Sequence, residues 1–163
     1  MKILVVCDTH GHLGNFDTVL QKEKPIDMLF HCGDIEQDSE TIPLMVECPV
    51  YLVGGNCDWG GALSRELIAE VGQHRIMIVH GHNHGVYHGL DGLYAAAEAK
   101  GCDIVCYGHT HVPEVAKING VTIINPGSLT RPKQDGHAPS YAVLTFDEAY
   151  EEMTAEIRYL SLE

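Results

Sequence analysis

Five times along this 163-residue chain, a short apolar run ends abruptly in a cluster of polar residues and glycine. Lys2–Val6 (KILVV) leads into Cys7-Asp8-Thr9-His10, and Asp27–Phe30 (DMLF) into His31-Cys32-Gly33-Asp34. Val50–Val53 (VYLV) leads into Gly54-Gly55-Asn56-Cys57-Asp58, and Arg75–Val79 (RIMIV) into His80-Gly81-His82. Asp103–Cys106 (DIVC) leads into Tyr107-Gly108-His109-Thr110-His111. Runs this short, rich in Val and Ile and closed by glycine-containing turns, read as buried strands rather than helices.

Helical signals lie between them. Phe16, Val19 and Leu20 share one face, and Pro25 stops that segment. Leu90, Leu93, Tyr94 and Ala97 follow i, i+3, i+4, i+7 spacing, with Gly101 as terminator. The segment after Asp34 is ambiguous because Pro43 interrupts it. Strand–helix–strand order predicts an α/β core. Further on, Glu114–Ile118 and Val121–Ile124 flank Asn119-Gly120, a strong hairpin signal. Tyr141–Phe146 and Met153–Leu160 predict a second antiparallel pair, with Met153, Ala155, Ile157 and Tyr159 on the inner face of the last strand. No repeat, linker or low-complexity tract divides the chain, so one domain over residues 1–163 is expected.

Composition narrows the functional classes. The net charge is −13, from 10 basic and 23 acidic residues, and such a surface repels a phosphate backbone. Broad nucleic-acid or anionic-membrane binding is therefore not expected. A small phosphorylated substrate remains compatible if bound cations reverse the field locally. The six cysteines form no CxxC pair, and no signal-peptide or membrane-length apolar run is present. These features predict a reduced, cytoplasmic protein whose cysteines are mostly small buried hydrophobes.

Groups just past the carboxyl ends of strands in open α/β sheets converge on one crevice. The five clusters then assemble Asp8, His10, Asp34, Asn56, His80, His109 and His111. Carboxylates, imidazoles and one amide suit Mn, Fe, Ni, Co or Zn better than Ca or Mg. Seven donors exceed one tetrahedral zinc. They fit two metals about 3.5–4 Å apart that share a carboxylate, as in two-metal hydrolases.

In these motifs the chain resembles the calcineurin-like metallophosphoesterases. The ordered elements are DTH at Asp8–His10, GD at Gly33-Asp34, GNCD at Gly55–Asp58, His80, and GHTH at Gly108–His111. INPGSLTRP (Ile124–Pro132) is further similar to the compact prokaryotic phosphodiesterases of the YfcE type. The resemblance implies a four-layer α/β/β/α sandwich of two mixed sheets. It implies one metal at Asp8, His10 and His111, a second at Asn56, His80 and His109, and Asp34 bridging both. Manganese is the first expectation, with nickel, iron, cobalt or zinc as alternatives. The implied reaction is hydrolysis of a small phosphodiester by in-line attack of a metal-bridging hydroxide, without a covalent intermediate. Relatives of this size also imply a dimer or tetramer.

One position departs from many relatives: Cys57 stands where they carry a histidine thought to protonate the leaving oxygen. A thiol with a pKa of about 8.5 is a poor substitute, so the expectation is preference for diesters with low-pKa leaving groups. Asp58, or the outer nitrogen of His10, is the alternative proton donor. His82 borders the substrate or supports the ligands, while His84 and His88 are read as solvent-facing, and His31 as a core or supporting residue. Ser128 lacks a GxSxG context and is not a nucleophile. Arg131 either reaches a phosphate or is a solvated loop residue, and Trp59 either stacks on an aromatic ester or packs. Two other functions stay open: a protein-interaction scaffold of the same fold, as in a retromer subunit, and a phosphomonoesterase or nucleotidase.

Overall fold

The computed structural model describes residues 1–161. Its strands form two five-stranded sheets. The first contains β1 (Lys2–Val6), β2 (Met28–His31), β3 (Val50–Leu52), β9 (Ser140–Phe146) and β10 (Met153–Tyr159), in the order β10-β9-β1-β2-β3. The second contains β4 (Glu66–Val71), β5 (His74–Val79), β6 (Ile104–Cys106), β7 (Glu114–Ile118) and β8 (Val121–Asn125), in the order β4-β5-β6-β8-β7. In each sheet three adjacent strands are parallel and the others antiparallel.

Alternation along the strands explains how four layers stack, since successive side chains leave opposite faces. Ile3, Val5, Phe30, Ala142 and Leu144 face the inner surface of the second sheet, where Ile76, Ile78, Ile104 and Ile124 meet them. Leu4, Val6, Leu29, Tyr141 and Val143 face outward against α1 (Gly14–Glu23), through Phe16, Val19 and Leu20. Met77, Val79, Val105 and Ile123 face outward against α2 (Asp91–Ala99), through Leu93 and Ala97. The order is α/β/β/α, as expected, with apolar residues on both faces of the central strands.

Three local features differ from the sequence expectations. Strand β4 carries no clear signal, because Glu66, Leu67, Ala69 and Glu70 are good helix formers. Its pairing with β5 across the Gly72 turn, where φ is +57°, overrides that propensity. The ambiguous segment after Asp34 resolves into two short 3-10 turns, Glu36–Asp38 and Ile42–Met45. On β10, Tyr159 is exposed instead of inward, while Arg158 is half-buried on the outer face.

Arg158 belongs to a buried junction. Glu23, at the end of α1, pairs with Lys2 Nζ and Arg158 Nη1, each at 2.7 Å, and accepts the Tyr141 hydroxyl at 2.7 Å. Burial alone would raise the Glu23 carboxyl, but these three donors outweigh it and hold the pKa at about 2. The charge thus stabilises the fold fully above the ordinary glutamate range and loses that effect as pH falls through about 2. Glu23→Gln is expected to cost about 2 kcal/mol at pH 7. Urea denaturation should show this gap shrinking between about pH 4.5 and pH 2; a gap constant with pH would contradict the assignment.

Candidate metal centre

Each parallel strand at the middle of a sheet ends on the same side of the molecule, and the turns that follow meet across the seam between the sheets. Gly55 and Gly108 show how close that meeting is. A Cβ on Gly55 would collide with Asp34 Oδ1, and one on Gly108 with Cys7 Sγ. The glycines before Asn56 and His109 therefore admit neighbouring turns that no side chain would allow.

The turns are also conformationally unusual. Asp8, His10, Asp34, His109 and His111 all have positive φ, between 46° and 70°. Such residues cost free energy wherever they occur and concentrate at functional sites. Glu36, with φ 64°, joins them.

Seven side chains singled out in the sequence come together here. His10 Nε2 and His111 Nε2 lie 3.4 Å apart, 3.8 Å and 3.3 Å respectively from Asp8 Oδ1. His80 Nε2 lies 3.3 Å from Asp34 Oδ2, 3.0 Å from Asn56 Oδ1 and 3.2 Å from His109 Nδ1. Asp34 Oδ2 sits between the two groups, 3.8 Å from His10 Nε2. Asp8, His10, Asp34, His80 and His111 are buried, whereas Asn56 is exposed.

Hydrogen bonding at the opposite ring nitrogens dictates what faces the middle. His80 Nδ1 donates to the Cys32 carbonyl at 2.8 Å and His111 Nδ1 to the Arg131 carbonyl at 2.7 Å. His10 Nδ1 donates to Glu36 Oε1 at 2.9 Å. With Nδ1 engaged as donor, each of these rings turns Nε2 toward the other rings and the carboxylate oxygens, and in the neutral form that a metal ligand requires this atom is a lone pair. Asp8 Oδ1 is buried with no hydrogen-bond donor. An array of acceptors directed at common points is repulsive by itself and complementary to divalent cations. The donor set fits the two-metal expectation on that ground.

Charge effects follow the same geometry. Burial would raise the Asp34 carboxyl, but His80 and the Cys57 backbone N–H at 2.8 Å drive it well below the usual carboxylate range. Burial, then the nearby Asp34 charge, push the Cys57 thiol up to about 11. Burial holds His31 down at about 3, and it links Thr9 Oγ1 at 2.9 Å to the Gly33 N–H at 3.2 Å as a neutral supporting residue.

Asp58 is buried and fully engaged. Its Oδ1 accepts the Ile35 and Glu36 backbone N–H groups at 2.9 Å and 2.6 Å, and its Oδ2 accepts Gly55 N–H at 2.7 Å. It joins the turn after β2 to the turn after β3. Ser128 plays a similar part, donating to the Asp8 carbonyl at 2.9 Å. Glu36 is the functional residue that sequence reasoning missed; only its position two residues after Asp34 could have pointed to it. Arg131 is exposed and contributes its carbonyl to His111. His82 and His84 are half-buried, each with an unpartnered Nδ1, so His84 is less solvent-facing than expected; His88 is exposed.

Comparison with known proteins identifies the family and the fold. A family profile described as a calcineurin-like phosphoesterase superfamily domain matches residues 1–149. The chain is 35% identical over 148 residues to the probable metallophosphoesterase YsnB of Bacillus subtilis, covering 90% of this chain and 85% of that one. It is 26% identical over 148 residues to a phosphodiesterase of Methanocaldococcus jannaschii, covering 78% and 83%. Among solved structures, a conserved uncharacterized protein from Streptococcus pneumoniae, a predicted phosphoesterase, has a TM-score of 0.82 at 25% identity. That likeness covers 97% of this chain and 88% of the other.

Chelator-stripped protein is expected to take up two Mn²⁺ per chain in a calorimetric titration. At about one hundred times the dissociation constant, each ion should add about 2.7 kcal/mol of stability. Asp34→Asn should weaken both binding events, and His111→Ala one. Equal stability with and without Mn, Ni, Co or Zn would count against the centre.

Proposed function

This chain belongs to the calcineurin-like phosphoesterase superfamily, and on that footing we propose that it is a dinuclear-metal phosphodiesterase acting on a small substrate in the cytoplasm. The observation that carries the reading is the convergence of Nε2 lone pairs and carboxylate oxygens on two adjoining points. Asp8, His10 and His111 would hold one cation, Asn56, His80 and His109 the other, and Asp34 would serve both. When bound, two divalent cations supply Lewis acidity toward phosphoryl oxygens and lower the pKa of an attacking water.

The chain's own residues orient and assist. Glu36 fixes the His10 ring, as carboxylates behind metal-binding histidines commonly do. Asp58 positions the Asp34 and Asn56 turns through backbone N–H groups rather than by moving protons. With the outer nitrogen of His10 occupied by Glu36, Cys57 is left beside the leaving group, and a thiol is a weak donor for an alkoxide.

All seven positions keep chemically competent donors, and that supports an enzyme within a single domain. The reduced state implied by a cytoplasmic setting is consistent with six free cysteines. Among the described residues, no helix is long and apolar enough to cross a membrane.

The test is hydrolysis of bis-p-nitrophenyl phosphate by stripped protein titrated with Mn²⁺. Activity should appear with metal and fall roughly a hundredfold or more in Asp34→Asn. Diesters with aryl leaving groups should outrun alkyl monoesters, and Cys57→His should raise rates on poor leaving groups by about tenfold or more while changing good ones little. Folded, metal-loaded protein without activity would favour the scaffold. A monoester preference would favour a phosphomonoesterase.

A further inference from the structure

Beside the histidine cluster lies a cavity of about 480 Å³, within the size range of small-molecule sites. Its walls come from the turn after β2, through Glu36, Gln37 and Ser39, and from the loop after β3, through Trp59, Ala62 and Leu63. The cavity opens onto the candidate centre through Cys57 and Glu36: ligand atoms of His10, Glu36 and Cys57 lie within 4.8 Å of one another. A group esterified to a phosphate at the centre thus has this space directly within reach.

The chemistry of the walls is one-sided. Trp59, the chain's one tryptophan, is 90% exposed, so its indole lies in water instead of packing on this chain. Ala62 and Leu63 add apolar surface, and Gln37 and Ser39 add neutral hydrogen-bonding groups. Among the described residues, no Lys, Arg or His lines the cavity, and the charged residues that line it are Glu36 and Asp58. The nearby Arg65 guanidinium is turned onto the Gly55 and Asp58 carbonyls.

We propose that this cavity seats one ester arm of the substrate and selects an uncharged aromatic ring, a nucleobase or an aryl group, stacked on Trp59. The inference rests on the phosphoesterase reading for the position of the phosphate. An arm bearing a second phosphate meets the Glu36 carboxylate and no basic side chain, and is disfavoured. Aromatic stacking is sequence-tolerant, because every base or aryl ring offers a π-face.

The experiment measures how Mn-loaded protein is inhibited, in bis-p-nitrophenyl phosphate hydrolysis, by methyl phosphate, phenyl phosphate, thymidine 5′-monophosphate and thymidine 3′,5′-bisphosphate. Phenyl phosphate and the monophosphate should inhibit about tenfold more tightly than methyl phosphate, and the bisphosphate more weakly than the monophosphate. Trp59→Ala should erase the advantage of the ring compounds, and Trp59→Phe should restore part of it. Trp59 fluorescence should be quenched by the monophosphate in the wild type, a readout that needs no turnover. Quenching without diester hydrolysis would overturn the phosphodiesterase reading and support the ring site. Hydrolysis with equal inhibition by methyl and phenyl phosphates would overturn the ring site alone. So would a Trp59→Ala variant that keeps the full ladder, or one that dissociates a dimer seen by sedimentation while the ladder is flat.

Discussion

Everything near the seam of this protein answers to one constraint: several lone pairs must face one another at close range and stay there. Two imidazole nitrogens 3.4 Å apart, with a buried carboxylate oxygen that lacks a donor, form an arrangement that relaxed side chains would abandon. The protein prevents this from behind. Carbonyls of Cys32 and Arg131 and the carboxylate of Glu36 hold the outer nitrogens of His80, His111 and His10, so none of these three rings can flip without losing a hydrogen bond. Left-handed backbone at Asp8, His10, Asp34, His109 and His111 aims the side chains inward. The fold carries this local strain, and only a large sandwich core on three apolar interfaces makes that tolerable.

Two sheets are needed because neither presents the full set. The first supplies Asp8, His10, Asp34 and Asn56; the second supplies His80, His109 and His111. The halves are registered by contacts that cross the seam, such as His109 N–H on Asp8 Oδ2 at 3.3 Å and His80 Nδ1 on the Cys32 carbonyl. Within the first sheet, Asp58 fastens two turns with a single carboxylate. These are positional devices, and any site built for a cation needs its side chains held to within about 0.5 Å.

Much of this was legible in the sequence, for a specific reason. Central strands of a two-sided sandwich are buried on both faces, so they read as unbroken apolar runs, and chemistry placed at their ends reads as abrupt polarity. The meeting of the seven polar side chains follows from that contrast, while the two helices follow from their i, i+3, i+4 spacing and the hairpin from Asn119-Gly120. Strand β4 was not legible because its residues favour a helix and only cross-strand pairing decides otherwise. Glu36 was hidden because its importance lies in a contact with His10, 26 residues away. The Arg131 carbonyl and the N–H groups held by Asp58 were hidden more deeply, since backbone groups are the same in every residue.

Strand β1 carries the first two donors of the centre, yet it is completed on one side by β9, with Leu4 opposite Val143. On a ribosome making about 5–20 residues per second, that edge stays unpaired for roughly seven to thirty seconds after β1 emerges. All seven donors have by then been synthesised, while the strand that seats two of them still lacks a neighbour. A nascent chain in that state displays histidines and carboxylates on an open apolar ribbon, available to the wrong cation or to another chain.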